Sequence, residues 1–196
     1  MASTPSSMPA LGMPAAAFVL PDTVSGRLLS LDQLKSAKAT VVMFLSNHCP
    51  YVKHVQEGLV RLAHDYRLKG VSFVAISSSD SETYPEDSPE RMRLVAQRQG
   101  FPFPYLYDES QEVARAYQAA CTPDFFVFDA QLRLAYRGRL DESRPGSGVP
   151  VTGKDLRAAL NALLAGKPVS EDQQPSLGCS IKWQHEAPVT PGSLAV

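Results

Sequence analysis

The run Val41-Val42-Met43-Phe44-Leu45 leads through Ser46-Asn47-His48 to Cys49-Pro50, and from Pro50 onward the spacing of the apolar residues changes. Five consecutive apolar residues rich in β-branched and aromatic types read as a buried strand. Val52, Val55, Leu59, Leu62, Ala63 and Tyr66 then recur at helical intervals, so the next element is an amphipathic helix. A buried strand feeding straight into such a helix requires helices layered on a sheet. It also places Cys49 where the helix opens. Pro50 suits the first helical position, because the N–H it lacks has no partner there. The free N–H groups of a first turn favour negative charge in front of them, and a cysteine so placed gains nucleophilicity. Lys53, four residues on, adds a cation to the same face. A plain buried thiol is the alternative that residue type alone leaves open.

The rest of the chain reads as one α/β domain. Phe18-Val19-Leu20 and Arg27-Leu28-Leu29 flank a turn around Pro21, Asp22 and Gly26, a short hairpin. Ser30 with Gln33 forms a capping-box pattern for a short helix. Val71 to Ile76 is a second β-rich run, and Ser88-Pro89 opens a helix to about Gln99. Asp108 to Tyr117 reads as a short helix, and Phe125–Phe128 with Leu132–Tyr136 as an antiparallel hairpin. Thr152 caps a last helix carrying Leu156, Leu160, Leu163 and Leu164, closed by Gly166. Residues 1–14, rich in Pro, Ser, Ala and Met without periodicity, read as a flexible arm. The domain itself spans 15–168, and a tail covers 169–196; Ile181 and Trp183, the only tryptophan, suggest that this tail docks on the body.

Composition narrows the function classes. A net charge of −1 gives no electrostatic case for nucleic acid or an anionic membrane. No apolar run is long enough to span a bilayer, and the first 26 residues hold no Lys or Arg, so a secretory signal is not expected. Three cysteines are an odd count that does not suggest a secreted disulfide framework, and reduced cytoplasmic thiols fit better. Gly-rich phosphate loops, Ser-His-Asp arrangements and paired catalytic carboxylates do not stand out, and no cofactor is expected. A metal site at His48, Cys49 and His54 would lack a paired cysteine.

A strand, a cysteine at a helix start and then Thr122-Pro123 just before a late strand resemble the thioredoxin arrangement, in which a cis proline faces the active cysteine. Matched to that arrangement, Cys49 takes the place of the first cysteine of a Cys-x-x-Cys motif, while Val52 stands at the second. Three residues upstream stands Ser46, so any second sulfur must come from Cys121, Cys179 or another molecule. Five further segments carry a more specific resemblance: Asn47-His48-Cys49-Pro50-Tyr51-Val52-Lys53, Tyr84-Pro85-Glu86-Asp87-Ser88-Pro89-Glu90, Cys121-Thr122-Pro123-Asp124-Phe125-Phe126, Tyr136-Arg137-Gly138-Arg139 and Gly178-Cys179-Ser180-Ile181-Lys182-Trp183. From about Phe18 to Trp183 the chain resembles a bacterial peroxiredoxin-like family of the thioredoxin superfamily, in the redoxin group that includes the alkyl hydroperoxide reductase and thiol-specific antioxidant proteins.

The resemblance implies a thioredoxin-like fold, with a central mixed sheet between helices, an N-terminal hairpin extension and a C-terminal tail packed on the body. It implies a thiol–disulfide oxidoreductase in which Cys49 attacks, supported by Ser46, Thr122 and Pro123, with His48 and Lys53 tuning the thiol. Cys179 or Cys121, or an external thiol, would resolve the mixed disulfide. The partners implied are a disulfide or peroxide substrate and a thiol reductant. A thiol-dependent antioxidant peroxidase is the alternative, and a non-catalytic redox-sensing or interaction module a further one. Many relatives carry Cys where Ser46 stands, and this chain departs from them there. Matched to peroxiredoxins, Ser46 keeps the hydroxyl of their Thr, but Val42 replaces their Pro and Pro123 their Arg. Losing a charge-stabilising donor typically costs about 10²–10³ in rate, which favours disulfide exchange over peroxide reduction.

Overall fold

A computed structural model describes residues 3–184 and puts β4, Ala39–Phe44, at the centre of a five-stranded sheet. The flanking strands are β5 (Val71–Ser77) and β6 (Tyr105–Tyr107) on one side, and β8 (Asp124–Asp129) and β9 (Leu134–Gly138) on the other. β5 runs parallel to β4, β6 parallel to β5, and β8 and β9 add antiparallel. The sheet is therefore mixed, and both of its faces are covered. Val41 and Met43 join Phe73, Ala75, Phe125 and Val127 in one core. Val42 and Phe44 join Val74, Ile76, Phe126 and Phe128 in the other. Alternate side chains of a strand go to opposite faces, so a strand with no polar face is what two cores require.

Helices α2 (Pro50–Arg67), α3 (Pro89–Gln99) and α5 (Lys154–Leu164) cover the first face. The hairpin of β2 (Val19–Pro21) and β3 (Leu28–Ser30), helix α1 (Leu31–Leu34) and helix α4 (Glu112–Ala116) lie on or beside the second. The capping box is formed as expected: the Gln33 backbone N–H donates to Ser30 Oγ, and Gln33 Oε1 accepts from the Ser30 N–H. Among the described residues no helix is long and apolar enough to cross a membrane.

Several expectations shift. Helix α4 is shorter than 108–117, because the Asp108 carboxylate accepts from the Ala114 N–H at 3.0 Å and holds the entry to one side. The cap of α5 is Gly153 rather than Thr152, with φ +70°. The Asp141 carboxylate takes the N–H groups of both Thr152 and Gly153, at 2.7 and 2.6 Å. Strand β6 escapes a sequence reading because Pro102 and Pro104 precede it; proline is tolerated at a sheet edge.

The described part of the N-terminal segment, expected as a flexible arm, is instead laid onto the tail. β1 (Thr4–Pro5) pairs with β10 (Leu177–Ser180), and β10 pairs in turn with β7 (Cys121–Thr122), all antiparallel. Ser6 and Ser176 exchange further hydrogen bonds at 2.9 Å. A segment without periodicity can be ordered in this way by backbone pairing alone. The tail itself docks as expected: Ile181 is buried in the second core, and the Arg115 guanidinium lies 4.5 Å from the Trp183 ring centroid. Residues 185–196 of the proposed tail lie outside the described residues.

Candidate active site

Three elements meet at the end of β4. Cys49 is the N-cap of α2, with Pro50 at the first helical position, so the free N–H groups of an eighteen-residue helix open toward it. The Thr122–Pro123 peptide is cis, and the Thr122 carbonyl accepts from the Cys49 thiol at 3.1 Å. From the other side comes β10, whose Cys179 Sγ lies 3.0 Å from Cys49 Sγ. A disulfide bond is about 2.0 Å long, so the two free thiols are about one ångström from bonding distance. Cys49 is entirely buried and Cys179 is 9 % exposed. The register explains the contact, because Cys179 stands opposite Thr122 and Ser180 opposite Cys121.

The three sulfurs differ chemically. Burial pushes the Cys179 thiol up to about 12; hydrogen bonding and charge from Cys49 add to this, and Lys182 opposes it. Burial also pushes Cys121 far above its ordinary value, with the charges of Asp124, Cys49 and Cys179 adding to the effect. Both are thiols at neutral pH. Cys121 turns its sulfur to its own loop, 3.7 Å from the Pro123 carbonyl. Val52, where a second motif cysteine would stand, is buried in the core.

Behind Cys49 lies a polar clamp that sequence reasoning did not assign. Asp87, fully buried at the end of the 3-10 turn Pro85–Asp87, receives four hydrogen bonds from the three residues before Cys49. Its Oδ1 accepts from the Asn47 and His48 N–H groups at 2.5 and 3.4 Å. Its Oδ2 accepts from Ser46 Oγ at 2.9 Å and from His48 Nδ1 at 2.6 Å. Ser46 thus donates its hydroxyl to Asp87, and its oxygen also lies 2.9 Å from His48 Nδ1. Tyr84 stacks on the His48 ring at 4.7 Å between centroids, and the Tyr105 hydroxyl donates to Asn47 Oδ1 at 3.2 Å. With Nδ1–H given to a carboxylate, the other ring nitrogen, Nε2, is buried and has no hydrogen-bond partner among the described residues. The only cue in the sequence was Asp87's place in the Tyr84–Glu90 segment, with no sign of its burial.

Burial raises the Asp87 pKa, but the hydrogen bond and charge of His48, with the Ser46 hydroxyl and the Asn47 N–H, outweigh it and hold the carboxyl below its ordinary value. A carboxyl whose folded pKa is depressed adds stability above its unfolded pKa of about 3.9, and loses it as pH falls through the folded value. Asp87→Asn is therefore expected to be less stable than the parent by about 2–3 kcal/mol at pH 7. The gap should shrink below about pH 4. Urea denaturation at several pH values measures it, and a gap unchanged down to pH 2 would contradict the assignment.

The other expected residues are placed less directly. Lys53 donates its backbone N–H to the Cys49 carbonyl at 3.1 Å. Its side chain lines an outer groove with Asn47, Glu86 and Arg91, and Cys49 is not among the walls of that groove. Pro123 borders a small cleft with Tyr51, His54 and Arg144. Arg139 lines the same cleft but is ion-paired with Asp155 at 2.5 Å. Asp124, next after Pro123, is buried, which pushes its carboxyl well above the ordinary value.

Comparison with known proteins agrees with this fold. An uncharacterized conserved protein from Geobacillus kaustophilus is 60 % identical, with a TM-score of 0.94 over 95 % of this chain and 99 % of that one. A hypothetical protein from Sinorhizobium meliloti 1021 is 49 % identical, with a TM-score of 0.91 over 93 % of this chain and 100 % of its own. A thiol:disulfide interchange protein of the thioredoxin family from Chlorobium tepidum TLS shares the fold at 19 % identity, with a TM-score of 0.60 over 80 % of this chain and 99 % of that one. A search of curated protein sequences gave no match. Residues 11–137 match the AhpC/TSA family. With that match over most of its length, the chain belongs to the AhpC/TSA family, and its fold is thioredoxin-like.

Proposed function

We propose that the protein is a thiol–disulfide oxidoreductase in which Cys49 attacks and Cys179 resolves. The observation that supports this reading is the 3.0 Å separation of the two sulfurs at the N-terminus of α2. Cys49 thiolate attacks one sulfur of a substrate disulfide; a Cys49–substrate bond forms, and the other substrate sulfur leaves as a thiolate. Cys179 then loses its proton and attacks Cys49 Sγ, which forms the Cys49–Cys179 disulfide and releases the second thiol. The order of steps follows from what holds the Cys179 proton. After burial, the hydrogen bond and charge of Cys49 keep that proton on. Both disappear once Cys49 is in a mixed disulfide, while Lys182 continues to favour the thiolate. Cys179 then ionises more readily than before, with burial alone still opposing it. An external thiol would reduce the internal disulfide, and the cytoplasm suits a chain whose three thiols are free.

The test is the stoichiometry of thiolate release from 5,5′-dithiobis(2-nitrobenzoate). The reduced parent should release two thionitrobenzoate ions per chain in quick succession. Cys179→Ser should release one and keep the other on Cys49. Two fast equivalents from Cys179→Ser would remove Cys179 from the role.

The burial of Cys49 favours a second reading, since peroxide is small enough to enter where a large disulfide is not. Cys49 would then be oxidised to a sulfenic acid, and Cys179 would condense with it to a disulfide and water. A rate with hydrogen peroxide no faster than that of an ordinary free cysteine excludes this reading.

A further inference from the structure

The tail strand β10 lies over Cys49, which is fully buried beneath it. Its pairing with β7 is short: Cys179 stands opposite Thr122 and Ser180 opposite Cys121. Two strands paired by themselves are marginal in water. The other side of β10 is held by residues 4–6. Thr4 pairs with Gly178 and Pro5 with Leu177. The Ser6 N–H donates to the Ser176 carbonyl at 2.9 Å, and Ser6 Oγ accepts from the Ser176 N–H at 2.9 Å. We propose that residues 4–6 are a releasable strap that keeps β10 shut over Cys49, and that their release admits a disulfide to the thiol. The proposal rests on the reading of Cys49 as the attacking thiol.

The sequence separates the strap from the chain that follows it. Pro5 disposes Thr4 to the extended backbone that pairing needs. Residues 4–6 carry no large apolar side chain, so their hold on β10 is hydrogen bonding, whose net worth is modest because water offers the same groups partners. From Pro9 onward the anchoring is of another kind. Arg137 Nε donates to the Pro9 carbonyl at 2.7 Å. Gly12 N–H donates to the Leu134 carbonyl at 2.8 Å, and Leu134 N–H to the Met13 carbonyl at 2.9 Å. Leu11, Met13, Ala15 and Ala16 pack against the second core. Backbone pairing with little apolar burial opens at far lower free energy than a core does. The strap can therefore lift from β10 while residues 9–16 stay seated on the body.

Release leaves β10 with its two pairs to β7 alone. Both of its flanks remain fixed. Ahead of it the Gln174 carbonyl accepts from the Arg139 N–H at 3.0 Å. Beyond it the Lys182 carbonyl accepts from the Asp80 N–H at 2.9 Å and from Gln111 Nε2 at 2.8 Å, and Ile181 is buried in the second core. The strand bows outward between these points instead of leaving the molecule. The strap sets how often Cys49 is open and takes no part in the exchange chemistry itself.

The test uses the full reduced chain carrying Ser6→Pro, which removes both the donor and the acceptor that Ser6 offers Ser176. Access is read as the rate of Cys49 alkylation by iodoacetamide, and the hold on β10 as hydrogen exchange of the Leu177–Ser180 amides. Both should accelerate by about 10–100-fold, the effect of losing two hydrogen bonds, while exchange of the β4 and β5 amides stays as in the parent. Ser6→Ala keeps the N–H and should fall between the two. Unchanged exchange in β10 would overturn the strap. So would faster exchange there with Cys49 alkylation within about twofold of the parent, or β4 and β5 accelerating as much as β10. The disulfide 5,5′-dithiobis(2-nitrobenzoate) separates the two readings. If alkylation accelerates as expected but Cys49 never takes up thionitrobenzoate, the strap stands as the cover of Cys49 and the exchange reading falls.

Discussion

Cys49→Ser is expected to lower disulfide exchange by about 10⁴–10⁶-fold, the scale on which losing a nucleophile usually acts. The reason is chemical. A serine hydroxyl at the N-terminus of α2 has the same helix behind it and the same Thr122 carbonyl in front, but at neutral pH it is not the ionised nucleophile that exchange requires. The two remaining sulfurs cannot replace it. Burial keeps Cys121 protonated, and Cys179, pushed up to about 12 by burial and by Cys49, has no helix terminus of its own. Stability should change little, because the substitution keeps the size of the side chain and a donor for the Thr122 carbonyl. Turnover of a chromogenic disulfide, with thermal denaturation as the control for folding, checks both halves. Activity within tenfold of the parent would show that another sulfur does the work.

Gly178→Ala should have the opposite effect on access. Its added methyl group would collide with the Thr122 carbonyl at 1.9 Å, so β10 must move off β7. Overpacking of this kind costs about 1–3 kcal/mol, and each 1.4 kcal/mol is about tenfold in an opening equilibrium. Alkylation of Cys49 by iodoacetamide should therefore accelerate by about 10–100-fold. Formation of a Cys49–Cys179 bond should slow at the same time, because the register that brings the sulfurs to 3.0 Å is lost. The two changes in opposite directions identify β10 as the cover over Cys49. A generally destabilised protein would instead open the five-stranded sheet as well, with whose strands β10 does not pair. Alkylation of Cys49 and hydrogen exchange of the β4 and β5 amides, read together by mass spectrometry, distinguish these cases.

What the sequence disclosed divides according to range. The junction of β4 and α2, the hairpin of β2 and β3 and the capping box at Ser30 are written in neighbouring residues, and each is present where the spacing predicts it. The family resemblance extended this to the fold and to the cis Thr122–Pro123 peptide. Contacts made across the chain were less legible. Cys179 was a candidate partner in the sequence, but its approach depends on a ladder between residues 130 positions from the nucleophile and those beside Pro123. No local pattern encodes that register, and Gly178 looks like any loop glycine until Thr122 stands against it. Asp87 is a similar case. It lies 41 residues from Ser46, and a charged residue in an exposed-looking Pro-Glu-Asp-Ser-Pro segment gives no sign of being buried. Lys53 is a further case: helical spacing puts it on the face of Cys49, and it also lines an outer groove.

The account stands on Cys49 and Cys179 acting as a pair, and the product of one turnover tests this most directly. Reduced protein is treated with one equivalent of 5,5′-dithiobis(2-nitrobenzoate), quenched in acid, alkylated and digested, and the linked peptides are identified by mass. The account predicts that the peptide containing Cys49 is joined to the one containing Cys179, with Cys121 recovered as an alkylated thiol. A Cys49–Cys121 link, or Cys49 recovered alkylated while another cysteine carries the thionitrobenzoate, would contradict it.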